Sequence, residues 1–368
     1  MTPPRVARAQ ALRRKTLRIG VLFGGRSAEH EVSVVSAQGV MQALDKDRFR
    51  AVPIGVTRQG TWLTPAQTQQ ALDNIRSERL KSLDEPLGDG ILYRTHALTS
   101  LRRVDVVFPL IHGTNGEDGT LQGFLELAGV PYVGAGVAAS ALGMDKALQK
   151  TFFRHHNFPV ADDVQLLASQ WRDDRDGVIR AAEAVIGYPA FVKPANSGSS
   201  IGTSKVRSRE DLEEAIAEAF RYDRKVLVER YIDGREVEVA VLGNDEPEAS
   251  GVGEVTFGRE FYDYQAKYDD PGTVLHIPAD IPAEAAARAR EMAIAAYRAI
   301  DCAGLARVDF FYTPDGALIL NEVNTIPGFT PMSQYPKLWE HAGLSYSGLI
   351  TRLVELAIER HEEKGRAF

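Results

Sequence analysis

Residues 305–334 read LARVDFFYTPDGALILNEVNTIPGFTPMSQ. Two β-like runs, 305–312 and 317–323, flank Thr313-Pro314-Asp315-Gly316, a combination that spells a hairpin turn. Asp309 falls inside the first run, Glu322 closes the second, and Asn324 follows two residues later, on the same face if the strand continues. Three hard oxygen donors then converge at one end of a hairpin. Such a set suits Mg²⁺, which takes one or two carboxylates and fills its other positions with phosphate oxygens and water. The competing explanation is an ordinary hairpin with polar ends, and the turn Asn324-Thr325-Ile326-Pro327-Gly328, together with partners upstream, weighs against it.

The chain has 368 residues, enough for two or three domains. Its 43 basic and 50 acidic side chains leave a net charge of −7, which offers no basic field for nucleic acid. No apolar run is long enough for a membrane span, so no membrane partner is expected. The single cysteine, Cys302, excludes an internal disulfide and suits a reducing, cytoplasmic setting. Residues 1–16 carry five basic side chains, no acid and no apolar signal core, and are expected to form a disordered extension.

Organisation follows from alternation. Residues 17–23 form an apolar strand that ends in Gly24-Gly25; a helix is expected over 30–44, strands over 51–56 and 104–111, and a helix over 121–128. Strands alternating with helices predict a parallel sheet in a first α/β unit, 17–140, with 58–102 irregular. A second unit, 141–233, reads as a helix over 144–156, a strand at 190–193, a Gly/Ser loop, a helix at 209–220 and a strand at 225–229. The third, 234–368, contains a strand at 236–242, a polar loop at 258–273, a helix over 282–300, the hairpin and an amphipathic helix over 346–361.

Several strings carry chemistry. Lys193 ends a strand and is followed at once by Pro194-Ala195-Asn196-Ser197-Gly198-Ser199-Ser200-Ile201-Gly202. Small residues let backbone N–H groups cradle phosphate oxygens and the lysine adds a point charge, but no G-K-[ST] follows, so this is not a Walker A loop. The strand 226–232 runs into a linker that could offer backbone groups to an adenine and Glu236 to a ribose. Gly24-Gly25-Arg26-Ser27-Ala28-Glu29 stands where ligands bind in open α/β sheets, yet lacks the third glycine of a dinucleotide fingerprint. Glu29 there better suits a small ammonium group. In HGTNGEDG, residues 112–119, the glycines suit a turn in which Asp118 caps the next helix.

Taken together, GGRSAEHEVS, HGTNGEDGTLQG, MDK, VKPANSGSSIG, VLVERYIDGREVEV, EFYDYQAKY, LARVDFF and NEVNTIPGFTPMSQYPKLW resemble the ATP-grasp superfamily and, within it, the D-alanine–D-alanine ligases. The likeness covers nearly the whole chain, from residue 17 to about 357. It implies an N-terminal α/β domain followed by a two-part ATP-grasp fold, α+β in character, with ATP held between the central and C-terminal domains. The expected partners are ATP and two D-alanines, with two Mg²⁺ (or Mn²⁺) on Asp309, Glu322 and Asn324. Lys146 and Lys193 would meet the phosphates, Glu229, Arg230 and Ile232 the adenine, and Glu236 the ribose. Glu29 would orient the first D-alanine, and Ser199 and Tyr268 would link with Glu29 to align or deprotonate the second. Arg307 and the Gly328 N–H would form an oxyanion hole, Ser333, Gln334 and Lys267 would hold the acceptor carboxylate, and His112 would stand at the cleft wall. Lys267 and Tyr268 fall in a flap over 258–273. A tyrosine at 268 implies a dipeptide product; a D-alanine–D-lactate ligase and an inactive nucleotide-binding module are the alternatives. The family is commonly a homodimer through its N-terminal domain.

Overall fold

The computed structural model describes residues 16–78, 99–256 and 274–366. Its first sheet is parallel, in the order β2 (Phe49–Val56), β1 (Leu17–Gly24), β3 (Val106–Pro109). The middle strand is buried along almost its whole length, which is why its sequence is a continuous apolar run rather than an alternating one. Helix α1 (His30–Ala43) follows β1, and the turn between them rests on Gly24 and Gly25, whose φ of +93° and +98° favour glycine. Residues 58–102, expected to be irregular, contain helix α2 (Pro65–Glu78). Thr64 and Gln67 form a reciprocal cap at its start, and proline takes the first helical position. Helix α3 (Thr120–Ala128) completes this unit.

The helix expected over 144–156 is α5 (Lys146–His155), and a separate helix, α4 (Val137–Met144), ends just before it. Asp145 separates them in an extended conformation, and its carboxylate accepts from the N–H groups of Ala147 and Leu148. An aspartate in that position starts a new helix rather than continuing an old one.

A four-stranded antiparallel sheet follows, in the order β4 (Asp163–Leu167), β7 (Lys225–Arg230), β5 (Ala190–Pro194), β6 (Ser204–Val206). Helices α6 (Ala168–Asp173), α7 (Arg175–Val185) and α8 (Arg209–Ala219) accompany it. Its core, from Leu166 to Val228, is made of its own residues.

The third sheet is antiparallel and five-stranded: β10 (Val274–His276), β9 (Glu248–Thr256), β8 (Arg235–Gly243), β11 (Gly304–Tyr312), β12 (Leu318–Asn324). Helix α9 (Ala283–Ala299) covers one face through Ala289, Ala293 and Tyr297. Helices α10 (Gln334–His341) and α11 (Tyr346–Arg366) pack back onto the first sheet, so Val21 and Phe108 share a core with Tyr335, Leu349 and Leu353. Among the described residues no helix is long and apolar enough to cross a membrane. The loop over 258–273, with Lys267 and Tyr268, and residues 1–15 lie outside the described residues.

Candidate active site

A cleft of about 1130 Å³ is lined by the loops after β1 and β3, by β5 and β7, and by β8, β11 and β12. Each predicted site residue within the described segments lines it: Glu29, His112, Lys146, Lys193, Ser199, Glu229, Arg230, Ile232, Glu236, Arg307, Asp309, Glu322, Asn324, Gly328, Ser333 and Gln334.

The hairpin is built as its sequence spells it. Gly316 N–H donates to the Thr313 carbonyl, Thr313 N–H donates to the Ala317 carbonyl, and Gly316 adopts φ +84°. In the register, Asp309 stands opposite Glu322 and Arg307 opposite Asn324, which brings all four to one face. A bulge between Asp309 and Phe310 shifts the pairing, so Phe310 meets Leu320. Leu318, Leu320 and Val323 face the core, while Glu322 and Asn324 face the cleft. Leu320 and Glu322 are two apart yet point to opposite sides, because Asn321 is the extra residue.

Arg307 is held on three sides. Its Nε and Nη2 donate to the two oxygens of Asp309 at 2.8 and 2.7 Å, its Nη1 donates to Gln334 Oε1 at 3.0 Å, and its Nε lies 3.4 Å from Glu238. Asn324 Nδ2 also donates to Asp309, at 2.9 Å. Gly328 abuts Ser333, whose hydroxyl accepts from the Thr330 N–H at 3.0 Å.

On the opposite wall, Ser27 ties the two loops together by donating to the His112 carbonyl at 2.6 Å and accepting from the Glu29 N–H. Ser199 donates to Glu29 across the cleft. Ser199 and Ser200 both hold positive φ, a backbone cost that persists where the surroundings fix it. His112 is 3 % exposed and lies 3.8 Å from Glu117, which accepts from the Gly113 N–H. Burial favours the neutral imidazole, but Glu117 and Glu29 outweigh it and raise the His112 pKa. Burial, helped by the charge of Glu29, raises that of Glu117. Asp118 meanwhile accepts from the N–H groups of Asn115 and Thr120, so HGTNGEDG lines the cleft and makes the turn at once.

The lysines stand between these walls. Lys146 Nζ donates to the Ser197 carbonyl at 2.7 Å and lies 3.6 Å from Glu322. Lys193 pairs with Glu229; burial lowers its pKa, but Glu229, Glu322 and Glu236 outweigh that and raise it. Glu229 is also paired with Lys150. Burial alone would raise the Glu229 pKa, yet the two lysines bring it down to about 2. Arg230 turns its guanidinium to Asp162 and the Val185 carbonyl.

Sequence reasoning missed Lys150, Glu238 and Asn321. Lys150 lies one helical turn from Lys146, a spacing that places both on one face. Glu238 lies two residues from Glu236 on one strand, which places both on one face. Asn321 carried no signal.

An antiparallel pair of sheets enclosing a cleft with lysines on one wall and a carboxylate hairpin on the other defines an ATP-grasp architecture. Comparison with known proteins narrows it. The family model described as D-ala D-ala ligase N-terminus matches residues 18–135, and that described as D-ala D-ala ligase C-terminus matches residues 152–355. The D-alanine–D-alanine ligase of Geobacillus thermodenitrificans is 47% identical over 352 residues, covering 94% of this chain and 97% of its own. That of Bacillus velezensis is 48% identical over 356 residues, covering 93% and 98%. Among solved structures, the D-alanine-D-alanine ligase from Coxiella burnetii superposes with a TM-score of 0.80 at 38% identity, over 96% of this chain and 97% of that one. VanG D-Ala:D-Ser ligase from Enterococcus faecalis gives 0.78 at 38% identity, over 93% and 100%. The chain belongs to the D-alanine–D-alanine ligase family.

Proposed function

We propose that the protein uses ATP to join two D-alanines into D-alanyl-D-alanine through a D-alanyl phosphate, supplying a peptidoglycan precursor. The observation that carries this is the convergence of Glu29, Lys146, Lys193 and the Arg307–Asp309 hairpin on one cleft. Glu29 receives the ammonium of the first D-alanine, whose carboxylate then attacks the γ-phosphate. Lys146 and Lys193 take the α- and β-phosphates; Ile232 and the strand leading to it flank the adenine, and Glu236 takes the ribose. Positioning and charge neutralisation supply most of the acceleration in such a transfer.

Asp309, Glu322 and Asn324 form an all-oxygen donor set on one face, which fits Mg²⁺ or Mn²⁺ shared with phosphate. Asn324 uses its Nδ2 on Asp309, so its carbonyl oxygen is the atom it offers a cation. When bound, the two ions neutralise phosphate charge. Arg307 and the Gly328 N–H stabilise the oxyanion formed when the second amine attacks the acyl carbon, donors of this kind being worth roughly 3–4 kcal/mol each. Ser333, Gln334 and Lys267 hold the acceptor's carboxylate. An ammonium must lose a proton before it attacks, and the family resemblance gives its alignment and proton removal to Ser199, Glu29 and Tyr268. The protein works as a homodimer in the cytoplasm, a state that sedimentation equilibrium tests directly.

ADP release measured with D-alanine alone, and with D-lactate or D-serine as competing acceptor across pH, tests the reaction and its acceptor. Release that needs D-alanine and Mg²⁺ and yields the dipeptide is expected; no release from pure protein overturns it. Glu322→Gln should abolish turnover in a folded protein, and wild-type turnover in that variant refutes the cation assignment.

A further inference from the structure

Lys150 has no role in the chemistry above, yet it makes one of the most buried ion pairs in the molecule. Its side chain is 4% exposed and pairs with Glu229, itself 2% exposed. The other oxygen of Glu229 pairs with Lys193. The two lysines differ in what they can reach. Lys193 lines the cleft, whereas Lys150 sits behind it on α5, one turn past Lys146.

That asymmetry matters once a nucleotide arrives. A phosphate chain draws Lys193 away from Glu229. A buried carboxylate that loses its partner is strongly disfavoured, so Lys193 could leave only at a cost to binding if it were the sole counter-ion. Lys150 removes that cost. We propose that Lys150 is a positioning residue that keeps Glu229 neutralised while Lys193 turns to the nucleotide phosphates. The groups facing the carboxylate are these two lysines, and Glu322 and Glu236 act on Lys193 from the third sheet. The inference rests on the nucleotide reading of the cleft.

A double-mutant cycle read by calorimetric titration with Mg·ADP tests it. Lys150→Met should weaken ADP binding by about tenfold or more in the Glu229 background, and by less than about twofold when made on Glu229→Gln, where no charge is left to strand. Lys150→Arg should bind within about threefold of the unaltered protein, since it keeps the charge. In turnover, Lys150→Met should raise the KM for ATP and leave that for D-alanine unchanged. If Lys150→Met alone does not fold, Lys150→Gln, which keeps a hydrogen-bond donor but no charge, carries the same expectation. Equal losses in both backgrounds, or equal rises in both KM values, overturn the proposal. Failure of the unaltered protein to bind ADP overturns the nucleotide reading and this inference with it, so the two failures are told apart by the reference titration.

Discussion

Gln334 decides where the Arg307 guanidinium points. Asp309 grips one edge of the fork bidentately, and the Gln334 carbonyl oxygen accepts from Nη1 at 3.0 Å on the other. Oxyanion stabilisation depends on donors already aimed before charge develops. Gln334→Leu should therefore lower kcat by about tenfold, a fraction of what loss of a whole donor costs, with the KM for ATP unchanged. Steady-state kinetics in both substrates check it, and an unchanged kcat removes Gln334 from this role. A second prediction concerns pH. The folded pKa of Glu229 is about 2 against an ordinary value of 4.5, because Lys150 and Lys193 outweigh burial. A depressed folded pKa means the stabilisation is complete above pH 4.5 and is lost as pH falls toward 2. It amounts to a few kcal/mol. Urea unfolding at pH 6 and at pH 3 should show a smaller pH-dependent loss in Glu229→Gln than in the unaltered chain, and identical losses would contradict the pairing.

At the scale of the element, the hairpin shows how far sequence pattern reaches. Its turn was legible because Pro-Asp-Gly leaves few alternatives and Gly316 needs φ +84°. The convergence of Asp309, Glu322 and Asn324 was legible too. The inward face of β12 was not: strict alternation puts Leu320 beside Glu322, and only the bulge sends one to the core and the other to the cleft. Leu320→Ala should cost about 2–5 kcal/mol, whereas Ile319→Ala, opposite Phe311 on the cleft face, should cost about 1 kcal/mol or less. Chemical denaturation of both variants decides it; a reversed order would place the bulge elsewhere. Strand β9 went unread for a different reason. Its sequence EASGVGEVT carries two glycines and no clear alternation, and it is held by neighbours on both sides, β8 and β10. The boundary at Asp145 and the start of α2 at Thr64-Pro65 also went unread, although cap chemistry marks both.

For the whole molecule, the division of cores sets what can move. The first sheet and helices α10 and α11 share one core, which fixes the Glu29 wall to the hairpin wall. The four-stranded sheet instead has a core of its own. Its ties to α5 are mostly polar: Lys146 N–H to the Ala195 carbonyl, Gln165 to the Ala147 carbonyl, Arg154 to Asp163, and Lys150 to Glu229, with a small apolar contact among Ala147, Ala195 and Leu227. Polar ties exchange for water far more readily than a shared apolar core opens. The sheet carrying Lys193 and Ser199 is therefore the wall able to shift as a unit toward a nucleotide, with the Glu29–Ser199 hydrogen bond as its latch to the opposite wall. Cooperative local openings follow such units. Amide hydrogen exchange followed by mass spectrometry should show β4, β5 and β7 exchanging together, and faster than β1 or α11, in the unliganded protein. Mg·ADP should slow that block while leaving β1 nearly unchanged. Ser199→Ala should speed the block without nucleotide, because it cuts the latch and no apolar contact. Exchange of β5 and β7 at the rate of β1 in the free protein would mean that the polar ties bind as tightly as the shared core, and that the cleft closes by some other motion.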